Sequence, residues 1–249
     1  MQRYFYKKLA QPPEWKIKLS QGVHLLIDAT YFSNKVCLVL YRYDAVGYTQ
    51  LYRLTDGEWY EEIAEDLANL LKLGLQIESI TCDGHKAILK AIKKICPTVS
   101  LQRCLFHIQN MCRIWLTPYP KSEAGKELKK IIQVLHNIEN EADSLYWSRL
   151  FRQWYATHKT YIEEYAIHAQ TGRKWRKHKL LYRCYSVIRK AQPYMFQCLK
   201  NENIPKTTNG IESFFGHLKD NLSIHRGLTL QHRNNFIKWY LYYKNADTF

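Results

Sequence analysis

The chain has 249 residues, 46% hydrophobic and 14% aromatic, enough to bury one substantial core and too much for a disordered chain. Its 37 Lys and Arg against 22 Asp and Glu give a formal net charge of +15, which favours a polyanionic partner. No run of about 18 apolar residues occurs, and the N-terminus lacks the apolar segment of a secretory signal, so a membrane partner is not expected. Seven scattered cysteines without a Cys-x-x-Cys pair argue for reduced thiols in a cytoplasmic setting, against a disulfide framework or a paired-cysteine zinc site.

Residues 1–20 are basic and aromatic, contain Pro12-Pro13 and read as a lead-in. Three apolar-rich runs follow at 23–30, 35–43 and 47–54, separated by turn signals at Ser33-Asn34 and 44–47, and predict an antiparallel meander. Thr55 and Glu58 form a capping-box pattern before Trp59, Ile63, Leu67 and Leu70 at helical spacing, with Gly74 as a stop. A strand is expected at 77–82, a helix at 85–95 ended by Pro97, and a fifth strand at 99–104. This order gives an α/β fold with a mixed five-stranded sheet flanked by helices.

From about residue 106 to 206 the strand patterns vanish. Apolar residues three and four apart, as in 126–138 and 144–165, predict a mostly helical insertion, and residues 113–206 carry 18 Lys/Arg against 8 Asp/Glu. Helices are expected again over about 207–222 and 229–243. The expected organisation is a lead-in (1–20), a first core segment (21–112), the insertion (113–206) and a C-terminal core segment (207–249).

Three carboxylates stand out. Asp28 closes the run Leu25-Leu26-Ile27, Asp83 follows Ile80-Thr81-Cys82, and Glu212 lies at the edge of the stripe Ile211, Phe215, Leu218 and Leu222. Taken singly, the aspartates read as turn residues and the glutamate as a solvated helix position. Taken together, carboxylates at strand ends with a helical glutamate suit Mg²⁺ or Mn²⁺. A shared site would hold two ions roughly 3.5–4 Å apart that activate a nucleophile and stabilise a leaving oxygen.

The run Arg173, Lys174, Trp175, Arg176, Lys177 and Lys179 could track a phosphate backbone while Trp175 stacks on an exposed base. A solvated helix face is the competing reading. Arg226, in the turn-like His225-Arg226-Gly227, is either a phosphate contact or a turn residue. No phosphate-binding Gly-x-x-x-x-Gly-Lys-Ser/Thr segment occurs, so nucleotide-triphosphate chemistry has no support.

The element order and motifs resemble the ribonuclease H-like DDE transposases of the Mutator-like group and its bacterial insertion-sequence relatives. Asp28 in Leu-Ile-Asp-Ala-Thr, Asp83 in Thr-Cys-Asp-Gly and Glu212 in Thr-Asn-Gly-Ile-Glu-Ser match the three acidic positions, and Asn209 matches an Asn before the last. Cys104-Leu105-Phe106-His107 matches the group's Cys-x-x-His, a pair with too few ligands for structural zinc by itself. His107 then reads as a phosphate contact or base-orienting group, or as a partly buried histidine opening a helix.

The resemblance implies catalysis by Asp28, Asp83 and Glu212 with two Mg²⁺ or Mn²⁺ ions. Element ends in double-stranded DNA would be cut and the freed 3′-hydroxyls joined to target DNA, by a homodimer or higher assembly on a nucleoid. It also implies an N-terminal end-recognition domain, for which some twenty residues are too few. A nuclease or resolvase that does not join strands, and a silenced DNA-binding derivative, are the alternatives.

Overall fold

The computed structural model describes residues 2–33 and 36–247, so Asn34 of the expected turn and Lys35 of the expected second strand lie outside the described residues. The chain divides into two compact units, Met1–Gln102 with Asn203–Phe249, and Arg103–Glu202.

The first unit is built on strands β1 (Val23–Phe32), β2 (Val36–Tyr43), β3 (Tyr48–Thr55), β4 (Ile77–Cys82) and β5 (Ser100–Arg103). Their order in the sheet is β3-β2-β1-β4-β5. β1 to β3 form an antiparallel meander, and β4 runs parallel to β1 with Ile27 beside Cys82. A parallel neighbour needs a crossover, and α2 (Tyr60–Lys72) supplies it. α3 (Lys86–Ile95) links β4 to β5. The mixed five-stranded α/β sheet is therefore as the sequence predicts.

Alternation along β1 and β2 decides what each face buries. Leu26, Leu38 and Leu40 pack on Ile211, Phe215, Leu218 and Leu222 of α8 (Asn209–Ile224) and on Ile237 and Leu241 of α9 (Leu230–Ala246). Tyr41 belongs to the opposite set and donates to Asp66 of α2 at 2.9 Å, and Arg53 Nε reaches the same carboxylate at 2.8 Å. Burial, then the adjacent Asp66 carboxylate, holds the Tyr41 hydroxyl far above its ordinary range.

The lead-in contains a helix of its own. It opens with α1 (Gln2–Leu9), and Asn235 and Trp239 of α9 donate to the carbonyls of Leu9 and Lys8 at 2.8 and 3.0 Å. These bonds satisfy orphan carbonyls at the end of α1.

The second unit is mostly helical: α4 (Leu105–Leu116), α5 (Glu123–Gln133), α6 (Glu141–Ile162) and α7 (Lys179–Ala191). Trp147, Phe151 and Trp154 stack in its core, and the indole N–H groups of Trp147 and Trp154 donate to the carbonyls of Ile131 and Ala124. Buried indoles thus keep a partner. Ser122 and Asn140 cap α5 and α6 by accepting from backbone N–H groups three residues on.

Two expectations need correction. Thr55 does not cap α2: the cap position is Trp59, without a side-chain bond, because β3 runs through Thr55. The basic run 173–177 is not a helix face either. Lys174–Arg176 is β7, paired antiparallel with β6 (Tyr165–Ile167) in a hairpin.

Candidate active site

Asp28 lies on the β1 face that carries Leu26, opposite Leu40 of β2, and is only 4% exposed. Its Oδ1 accepts the Ala29 N–H at 2.8 Å. Because Ile27 stands beside Cys82, the next residues of these neighbouring strands are Asp28 and Asp83, and strands lie about 4.8 Å apart. Asp83 is half-buried just past β4, and its Oδ1 accepts the His85 N–H at 2.8 Å. Gly84 makes that turn with φ +94°, a region closed to most side chains.

Glu212 arrives from the far end of the sequence. Thr81 Oγ1 donates to the Pro205 carbonyl at 2.9 Å, tying the segment before α8 to the strand that leads into Asp83. Asn209 opens α8, and Glu212 sits in its first turn, where the helix dipole favours negative charge. The ligand oxygens of Asp28 and Glu212 come within 4.8 Å of each other. Two carboxylates held this close can offer oxygen ligands to one cation. Carboxylate oxygens are the ligands that Mg²⁺ and Mn²⁺ prefer.

Sequence reasoning overlooked Glu58. Its side chain is 10% exposed, accepts from the Tyr31 hydroxyl at 3.1 Å and lies 3.4 Å from His85 Nδ1. Burial raises its pKa above the ordinary value, His85 opposes the shift and Asp83 adds to it. The same surroundings push the Cys37 thiol up to about 11, chiefly through burial. In sequence Glu58 reads as a capping residue, because nothing in its own segment reveals that Tyr31 of β1 and His85 after β4 lie against it.

Cys104 is buried at the start of α4, where its thiol accepts the His107 N–H at 3.5 Å, so the pair forms a helix cap. His107 is half-buried in that first turn. Arg226 is exposed between α8 and α9. In the hairpin, Arg173, Lys174 and Trp175 are exposed, and so is Lys179 at the start of α7. Arg176 instead stacks on Tyr182 at 3.5 Å, and Lys177 pairs with Glu164, whose pKa falls mainly through that hydrogen bond.

No curated protein matches the chain. The profile described as "Transposase, Mutator family" matches residues 45–215, a stretch that contains Asp83, Cys104, His107 and Glu212 and begins downstream of Asp28. That match spans well over half of the residues, and the chain belongs to the Mutator family of transposases.

Proposed function

We propose that this transposase cuts DNA at the ends of its element and joins the freed 3′-hydroxyls to target DNA, with Asp28, Asp83 and Glu212 as its catalytic carboxylates. The observation that carries the reading is the approach of Asp28 to Glu212 within 4.8 Å, with Asp83 the next residue along the neighbouring strand.

These three residues would hold divalent cations through oxygen. When bound, such ions lower the pKa of an attacking water or hydroxyl and neutralise charge on the leaving oxygen. The chain's own contribution is positional. The β1–β4 register sets the two aspartates side by side, the Thr81–Pro205 bond brings in the start of α8, and burial of Asp28 limits competing water. Glu58 lies close enough to add negative charge beside Asp83, and its bond to Tyr31 holds it there. The net charge of +15 supplies the attraction to a phosphate backbone.

The test is strand nicking and joining on labelled DNA of the element's own ends, with Mg²⁺ or Mn²⁺, wild type beside Asp83→Asn. Cleaved and joined products that vanish in the variant are the expected result. Cleavage without joining would reassign the protein as a nuclease, and full activity in Asp83→Asn would remove that residue from the site.

A further inference from the structure

Beyond the carboxylates, the first unit contains a cavity of about 510 Å³. Its walls include Phe32 and Ser33 at the end of β1, Lys219 and Ser223 of α8, Arg226 of the following turn and Arg233 of α9. Among the described residues, three cations surround an apolar floor of Phe32, Leu222 and Leu228, and the lining includes no carboxylate.

The cations are arranged by the floor. Lys219 Nζ stands 5.8 Å and the Arg233 guanidinium 5.4 Å from the Phe32 ring centroid. Arg233 Nη1 donates to Ser33 Oγ at 2.6 Å and to the Ser33 carbonyl at 3.2 Å, while its buried Nε has no hydrogen-bond partner among the described residues. Leaving a buried charged donor unmatched is costly, so an anionic acceptor is the natural complement.

Size and chemistry narrow the ligand. A bare phosphate would use the cations and leave the apolar floor empty. A double helix is too wide to enter. One nucleotide with its base swung out of the stack uses both, because base faces pack on aromatic and aliphatic surface while cations take the phosphate.

The location agrees. Phe32 is four residues past Asp28 on the same strand face, about 13 Å along β1. Lys219 is two turns past Glu212, about 10 Å along α8. At roughly 3.4 Å of axis per phosphate, a strand lying on the carboxylates reaches the cavity within about three to four nucleotides.

We propose that the Phe32–Lys219–Arg226–Arg233 cavity binds a single unstacked nucleotide of the DNA strand engaged at the carboxylate site. The proposal rests on the reading of Asp28, Asp83 and Glu212 as that site. It predicts a preference for DNA in which a nucleotide near the end is already unpaired.

The experiment compares the affinity of the full chain for a fluorescent blunt duplex and for the same duplex with a short single-stranded tail, without divalent cation so that no strand is cut. Wild type should prefer the tailed probe about tenfold, the worth of stacking one base. Ser223→Trp fills the cavity from an exposed position while sparing every cation. It should abolish the preference and leave blunt-duplex affinity unchanged. Arg226→Ala should weaken both probes and reduce the ratio. A wild-type ratio of one, or a preference that survives Ser223→Trp, overturns the proposal even if cleavage persists. Binding to neither probe would overturn the DNA-cutting reading with it.

Discussion

Asp28 is almost fully buried, and its ligand oxygen lies within 4.8 Å of that of Glu212. Replacing a carboxylate by its amide takes away an anionic oxygen ligand while keeping its size. We therefore expect Asp28→Asn, Asp83→Asn and Glu212→Gln each to reduce metal-dependent cleavage by more than about 100-fold, the upper cost of losing even an outer partner of a metal site. Single-turnover cleavage of labelled DNA measures this, and retained cleavage in any of the three would remove that residue from the site.

Glu58 makes a pH prediction of defined sign. Its pKa is raised on folding above the ordinary 4.5, so the folded state binds the extra proton between the two values. Its contribution to stability is fully present below 4.5 and is lost as pH rises through the folded value. Melting curves in metal-free buffer should show a smaller decline over that window for Glu58→Gln than for wild type. Identical declines would contradict the assignment.

Elements differ in how plainly their residues announce them. The Leu25-Leu26-Ile27 and Ile80-Thr81-Cys82 runs read as strands because buried parallel strands are continuously apolar, and β4 was placed to the residue. α8 and α9 follow from helical periodicity, and Thr229 caps α9 by accepting the His232 N–H at 3.3 Å. The β6–β7 hairpin is not legible in the sequence because three-residue strands are too short for alternation to register, and five Lys and Arg within 173–179 mask any pattern.

That hairpin changes the prediction for its charges. Arg176 and Lys177 are engaged within the unit, by Tyr182 and Glu164, whereas Arg173 and Lys174 are exposed. If the hairpin holds DNA, replacing Arg173 and Lys174 with alanine should reduce the slope of log affinity against log salt by about 0.9 per lost phosphate contact. Replacing Lys177 should change it little. Equal slopes for wild type and the Arg173/Lys174 double variant would remove the hairpin from the interface. At the turn after β4, Gly84→Ala should cost about 1–2 kcal/mol, since φ +94° excludes a Cβ, and should shift Asp83. Urea denaturation measures the first effect and cleavage the second.

Long-range bonds that join distant parts of the chain complete the first unit. Asn245 near the end of α9 accepts the Thr49 N–H at 2.9 Å and donates to the Thr49 carbonyl at 2.8 Å, closing the β3 edge of the sheet. Asn245→Ala leaves two buried backbone groups unmatched and should cost about 2–4 kcal/mol in urea denaturation. A loss under about 0.5 kcal/mol would mean that water replaces the side chain.

Composition and local pattern determined that this chain is an α/β protein with a basic, largely helical segment, and its motifs singled out Asp28, Asp83 and Glu212. Each of those inferences uses neighbours within a few residues, the range over which periodicity and turn chemistry act. Tertiary structure alone decided that β4 lies beside β1, that Pro205 is bonded to Thr81, that Glu58 is buried beside His85, and that Phe32, Lys219, Arg226 and Arg233 share one cavity. The reason is physical: burial, register and approach of charges are properties of which distant segments pack together, and that packing leaves no trace in the residues on either side of each one.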